Sequence, residues 1–153
     1  MSIVYISLGS NMGNGEKNIA KALKCIENLP STTVLEVSSL YLTEPISKIS
    51  QPHFLNCCAK LYSTLSPHDL LRGVLKIELE LGRVRKEIDG PRTIDIDLLL
   101  YDDLKLDTVD LILPHPRMLE RDFVLVPLSE ICDKFRYITN FKSSKIEKLE
   151  KKC

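Results

Sequence analysis

Residues 93–101 read Thr-Ile-Asp-Ile-Asp-Leu-Leu-Leu-Tyr, and this run constrains the fold more than any other. Strand geometry turns successive side chains to opposite faces. Ile94, Ile96, Leu98 and Leu100 are therefore expected on one face, and Asp95 and Asp97 together on the other. Aspartate is a poor strand former, and two carboxylates about 7 Å apart along one face repel each other. Two readings satisfy the pattern. The pair is either solvated on an open sheet face, or it holds a divalent cation that removes the repulsion. Mg²⁺ takes one or two carboxylates and completes its octahedron with water and phosphate oxygens.

The rest of the chain supplies the layers such a strand needs. Ile3 to Leu8 is a short β-rich run ending at Gly9, and residues 16–29 carry Ile19, Ala22, Leu23, Ile26 and Leu29 at helical spacing before Pro30. Thr32 to Leu42 reads as a second strand, residues 44–51 as a loop ahead of Pro52, and Phe54 to Leu65 as a third strand. Ser66-Pro67-His68-Asp69 offers a helix N-cap, a proline at the first helical position and an acid in the first turn; Gly82 supplies the stop. Residues 83–92 are charged, end in Gly90-Pro91-Arg92, and read as a second loop.

The resulting order is strand, helix, strand, strand, helix, strand. It predicts an α+β fold with a ferredoxin-like βαββαβ core, an antiparallel sheet with both helices on one face, plus C-terminal additions. Those additions are an edge strand at Leu111-Ile112-Leu113, a helical stretch over 121–131 interrupted near Pro127, and a short Lys-rich helix opened by the capping box Ser144-Lys145-Ile146-Glu147. With 153 residues, no internal repeat and no linker, the expectation is a single domain.

Charge and cysteine usage exclude several classes. Lys+Arg and Asp+Glu both total 21, so the broad basic footprint of nucleic-acid and membrane-surface binders is missing. Any basic cluster must face a small anionic ligand. The five cysteines form no CxxC pair and no zinc spacing, which suits reduced thiols; Cys57 and Cys58, adjacent in a strand, should face opposite ways. The first residues run straight into a strand pattern without a basic signal-peptide region, so a cytoplasmic protein is expected, and separately a monomer.

Basic residues cluster near the acidic pair in sequence. Arg83, Arg85, Lys86 and Arg92 precede it, and His115, Arg117 and Arg121 follow. Planar guanidinium groups suit phosphate oxygens, and ATP's roughly four negative charges balance against magnesium plus several arginines. A solvated helix end is the competing account of Arg83-Val84-Arg85-Lys86. Phe54 and Asn56 share a strand face, where a ring can stack on a heterocycle and an amide can pair with its edge; Phe123 offers a second ring. Core phenylalanines with a hydrogen-bonded asparagine remain the alternative. Glu78 lies four residues past Val74, beside the apolar stripe of the second helix, and is read as an exposed acid or a nucleotide contact. Gly9 to Gly15 completes neither a Walker A loop nor GxGxxG, and reads as a turn.

These segments together resemble the 6-hydroxymethyl-7,8-dihydropterin pyrophosphokinase family of folate biosynthesis over nearly the whole chain. The resemblance rests on Leu8-Gly9-Ser10-Asn11, Gln51-Pro52-His53-Phe54-Leu55-Asn56, Gly82-Arg83-Val84-Arg85, Gly90 to Asp97 and Pro114-His115-Pro116-Arg117. It implies transfer of the β,γ-diphosphate of ATP to a pterin hydroxymethyl group, with AMP as the product. It further implies two Mg²⁺ ions on Asp95 and Asp97, and triphosphate contacts from Arg83, Arg85, Arg92, Arg121 and His115. The pterin would lie between Phe54 and Phe123, with Asn56 reading its edge and Thr43, Pro45 and Ile46 contributing; Glu78 would touch the nucleotide. Family members often carry a basic residue and an aromatic ring just before Gly-Pro-Arg, where this chain has Ile88 and Asp89; Asp110 stands where some relatives are basic. The rivals are a ferredoxin-like binding module, such as an RNA reader, and another Mg²⁺-dependent transferase or nuclease with paired strand aspartates.

Overall fold

The computed structural model describes residues 1–43, 53–82, 93–135 and 146–152. Strand β1 (Ser2–Ser10) leads to helix α1 (Gly15–Glu27), then β2 (Thr32–Val37), β3 (Ser39–Thr43) and β4 (Phe54–Ser63). Helix α2 (Pro67–Glu80) precedes β5 (Asp95–Tyr101), the small strands β6 (Leu106–Asp107) and β7 (Ile112–Leu113), helix α3 (Asp122–Ile131) and β8 (Ile146–Lys152). The main sheet runs β5-β1-β4-β3-β8, with β2 also pairing β4, and its strand pairings among the described residues are antiparallel.

Local chemistry sets the helix starts. Asn14 accepts from Lys17 N at 3.1 Å as the α1 N-cap. Ser66 Oγ accepts from Asp69 N at 3.2 Å as the α2 N-cap, with Pro67 in the first turn as expected, and Gly82 beyond α2 has φ of 91°, where glycine carries no Cβ penalty. The buried faces of α1 (Ile19, Ala22, Leu23, Ile26) and α2 (Leu70, Val74, Ile77) pack against Val4, Ile6, Leu8, Cys57, Ile94, Ile96 and Leu98. A second core forms on the other side of the sheet, where Val124, Leu125, Leu128 and Ile131 of α3 meet Cys58, Leu99 and Leu100. Cys57 and Cys58 thus do face opposite layers.

Four sequence expectations are corrected. Gly9 does not end β1, which continues through Ser10. The stretch Thr32 to Leu42 is two strands, because the Ser38 side chain, buried, accepts from Cys58 N at 2.9 Å and breaks the run there. A bulge between Tyr5 and Ile6 pairs Tyr5 with Leu100 but Ile6 with Leu98, which moves Leu100 to the α3 side, away from Ile94, Ile96 and Leu98. The C-terminal segment is strand β8, not a helix. A short isolated helix is marginal in water, whereas the free edge of β3 satisfies the segment's backbone groups by pairing Thr43 with Ile146 and Tyr41 with Lys148. Ile112 and Leu113 form a strand, but one that pairs β6 in a separate hairpin. Among the described residues no helix is long and apolar enough to cross a membrane.

Candidate active site

Cross-strand register brings the polar residues of the α3 side of the sheet into one row. Tyr41 of β3 lies opposite Asn56 of β4, Asn56 opposite Gly9 of β1, and Gly9 opposite Asp95 of β5. Flanking rows pair Thr43 with Phe54, and Ser7 with Asp97. The inward faces of β5 (Ile94, Ile96, Leu98) are buried against α1 and α2, so Asp95 and Asp97 emerge together on the opposite face, each partly exposed. Period two holds in β5 up to Leu98, before the bulge.

Asn56 is held firmly. Its Nδ2 donates to Thr43 Oγ1 at 2.6 Å, and both residues are buried. Phe54 is half-buried two residues earlier on the same face. Phe123, in the first turn of α3, is partly exposed; the Arg121 guanidinium lies 5.7 Å from its ring centroid. Arg121 Nη1 also reaches Asp97 Oδ2 at 4.0 Å, an ion pair only partly screened by solvent since the side chains are 23% and 35% exposed.

His115 joins this group through its backbone, which donates to Leu99 O of β5 at 2.9 Å. Its Nδ1 accepts from Arg117 N at 3.1 Å, which leaves the ring proton on Nε2 when the imidazole is neutral. Burial pushes its pKa below the usual value, and the nearby positive charges of Arg121 and Arg117 act in the same direction, opposed by Asp95. The neutral, Nε2-protonated ring is thus favoured at neutral pH.

Glu78 departs from expectation. It is not an exposed acid: the residue is 2% exposed, and Oε2 accepts from Ile96 N at 2.7 Å. Since β5 is the edge of the sheet, Glu78 satisfies an edge N–H that burial would otherwise strand. Nothing in residues 74–78 distinguishes an acid on the apolar stripe from one beside it; its one signal is the four-residue step from Val74.

Thr43, Phe54, Asn56, Asp95, Asp97, His115, Arg121 and Phe123 therefore share one side of the sheet, and Glu78 lies beneath it against β5. Pro45, Ile46, Arg83, Arg85, Arg92, Ile88 and Asp89 lie outside the described residues. Asp110 pairs instead with His68 Nε2 at 3.1 Å. Sequence reasoning missed Gly9, whose neighbours become visible only through the strand register.

Among the described residues, Asp95 and Asp97 are the two carboxylates that emerge together on this face. Among the described residues no three His, Cys, Asp or Glu groups are clustered to hold an ion. Such a set is poor for zinc, which wants four protein ligands or three with an open position, but fits Mg²⁺ carried in with phosphate oxygens and water.

A model of the 7,8-dihydro-6-hydroxymethylpterin-pyrophosphokinase (HPPK) family matches residues 5–133. The 2-amino-4-hydroxy-6-hydroxymethyldihydropteridine pyrophosphokinase of Bacillus subtilis is 45% identical over 131 residues, covering 86% of this chain and 78% of that protein. The Pseudomonas aeruginosa protein of the same name is 44% identical over 133 residues, 87% of this chain and 82% of that one. Among solved structures, wild-type Plasmodium falciparum HPPK-DHPS with pterin and p-hydroxybenzoate aligns with a TM-score of 0.65 at 15% identity. That match covers 85% of this chain and 39% of the longer one, and speaks for the fold alone.

Proposed function

We propose that this chain, which belongs to the 7,8-dihydro-6-hydroxymethylpterin-pyrophosphokinase family, transfers the β,γ-diphosphate of ATP to the hydroxymethyl oxygen of 6-hydroxymethyl-7,8-dihydropterin in folate biosynthesis. The observation that carries this reading is the single row across three strands in which a tethered amide, a bare glycine and a carboxylate succeed one another. One end suits the hydrogen-bonding edge of a heterocycle, and the other suits a metal-bound phosphate.

In this reading the pterin lies between Phe54 and Phe123, its edge against Asn56, with Thr43, Pro45 and Ile46 completing the pocket. Asp95 and Asp97 hold two Mg²⁺ ions, which when bound neutralise phosphate charge. Arg121 and the Nε2–H of His115 donate to triphosphate oxygens, joined by Arg83, Arg85 and Arg92 from the family resemblance; Glu78 holds the strand under the nucleotide. The hydroxymethyl oxygen attacks the β-phosphorus, the bond from that phosphorus to the α–β bridging oxygen breaks, and AMP leaves. The hydroxyl proton passes to an Asp97 oxygen or to water. Such transfers depend on alignment and charge neutralisation more than on covalent help.

The core is read as ferredoxin-like: the βαββαβ order and the β5-β1-β4-β3 sequence of strands support it. The chain is read as one domain and a cytoplasmic monomer; sedimentation as a species well above 17.4 kDa contradicts the monomer. Incubation with Mg²⁺, ATP and the pterin alcohol tests the activity. AMP and a pterin diphosphate are the expected products. ADP indicates ordinary kinase chemistry, and the absence of either points to a binding module.

A further inference from the structure

Gly9 is buried in β1 at the centre of the site-facing row, between Asn56 and Asp95. Its backbone does not call for glycine, since Gly13 and Gly82 are the glycines with positive φ among the described residues. What calls for glycine is contact. A Cβ built on Gly9 would lie 2.8 Å from Asn56 Oδ1, with Leu55 O and Phe54 Cδ1 both at 3.7 Å. Carbon and oxygen do not approach to 2.8 Å without something yielding. The amide is the group that must yield, and it is not free to do so at no cost: its other end is tied to Thr43 Oγ1 at 2.6 Å, and the residue is 7% exposed.

We infer that Gly9 is a positioning residue for the pterin, an inference that rests on the pterin reading of this site. Lacking a side chain, it lets the Asn56 amide stay turned toward Thr43 with its carbonyl oxygen over β1. Gly9 sits between β4 and β5, which at strand spacing lie about 10 Å apart. That span accommodates a flat bicyclic ring whose edge meets Asn56 while its alcohol reaches the Asp95 side. A methyl group at residue 9 turns the amide and breaks the Thr43 hydrogen bond, while the nucleotide side is left intact.

The test is a double-mutant cycle on Gly9 and Asn56, read by pterin fluorescence titration in the presence of Mg²⁺ and a non-hydrolysable ATP analogue. Gly9→Ala should weaken pterin binding about tenfold or more, with affinity for the ATP analogue changed by less than about twofold. In an Asn56→Ala background the same substitution should cost less than about twofold, because the methyl enters the space the amide has left. If Gly9→Ala alone does not fold, recovery of the fold in the double variant supports the inference, and an equally unfolded double variant overturns it. Unchanged pterin affinity in Gly9→Ala, or an equal loss in both backgrounds, also overturns it. A wild-type protein that turns over while Gly9→Ala binds pterin normally defeats the role of Gly9 alone; a wild-type protein that releases no AMP defeats the pterin reading itself.

Discussion

Asp95 and Asp97 flank Ile96, and the backbone N–H of Ile96 is held at 2.7 Å by the buried carboxylate of Glu78. Helix α2 thereby fixes the stretch of edge strand that carries both aspartates. Glu78→Leu leaves that N–H without its acceptor and should cost about 1–3 kcal/mol in denaturant unfolding; Glu78→Gln, which keeps an acceptor, should cost less. Equal losses in the two variants would show that the hydrogen bond is not what Glu78 contributes. On the opposite face, Asp97→Asn removes a charge from the proposed metal pair and should abolish turnover while pterin binding and folding persist. Near-normal diphosphate transfer by that variant in Mg²⁺ would contradict the assignment. The aspartate pair is legible in the sequence because period two is a local property of the chain. Leu100 is not, since one extra residue opposite the Tyr5–Ile6 step reverses the alternation and only the partner strand records it. Glu78 is not legible either, because burial of an acid depends on which backbone donor lies across the gap.

The elements that frame the site are tied down away from it. Near the C-terminal end of α3, Glu130 accepts from the Ser39 N–H and the Ser39 hydroxyl, both at 3.1 Å, and from the Tyr41 hydroxyl, and it lies 4.0 Å from Lys148 Nζ of β8. Burial, reinforced by the Glu130 carboxylate, raises the Tyr41 pKa, so the phenol remains a donor at physiological pH. The start of the same helix carries Phe123, directly after Arg121. Glu130→Ala should therefore destabilise the fold by about 1–3 kcal/mol and speed hydrogen exchange at the Ser39 amide; unchanged exchange there would show that this anchor does not hold α3 to β3. A second tie joins α2 to the β6–β7 hairpin, where His68 Nε2 lies 3.1 Å from Asp110 Oδ1 and 3.2 Å from Thr108 Oγ1. Hydrogen bonds, first from its own backbone and then from His68, hold the Asp110 carboxyl below its usual pKa of 3.8. A depressed carboxylate stabilises the fold above the unfolded-state value and loses that contribution as pH falls through the folded-state value. Asp110→Asn should thus flatten the decline in stability below about pH 4, and an unaltered acid limb in thermal melts would rule this out. At this scale α1, α2 and α3 were legible from spacing and caps, whereas β8 was not: its capping box is a local signal, and pairing with β3 is a long-range one that outweighs it.

Across the whole molecule the sheet divides labour between its faces. The side covered by α1 and α2 is closed by an apolar core, while the side packed on α3 also carries the row from Asn56 to Asp95. Order of elements and the acidic strand were enough to foresee an α+β sheet with two aspartates on one face; the juxtaposition of Gly9 with Asn56 and Asp95 required the strand register. We propose that Asp95 and Asp97 present a magnesium site on that face. Anomalous diffraction from crystals grown with Mn²⁺, a close stand-in for Mg²⁺ at oxygen ligands, and a non-hydrolysable ATP analogue tests it most directly. Peaks are expected about 2.0–2.3 Å from carboxylate oxygens of both aspartates, shared with phosphate oxygens of the nucleotide. Manganese bound to the nucleotide with both carboxylates turned away from it would rule out the aspartate site.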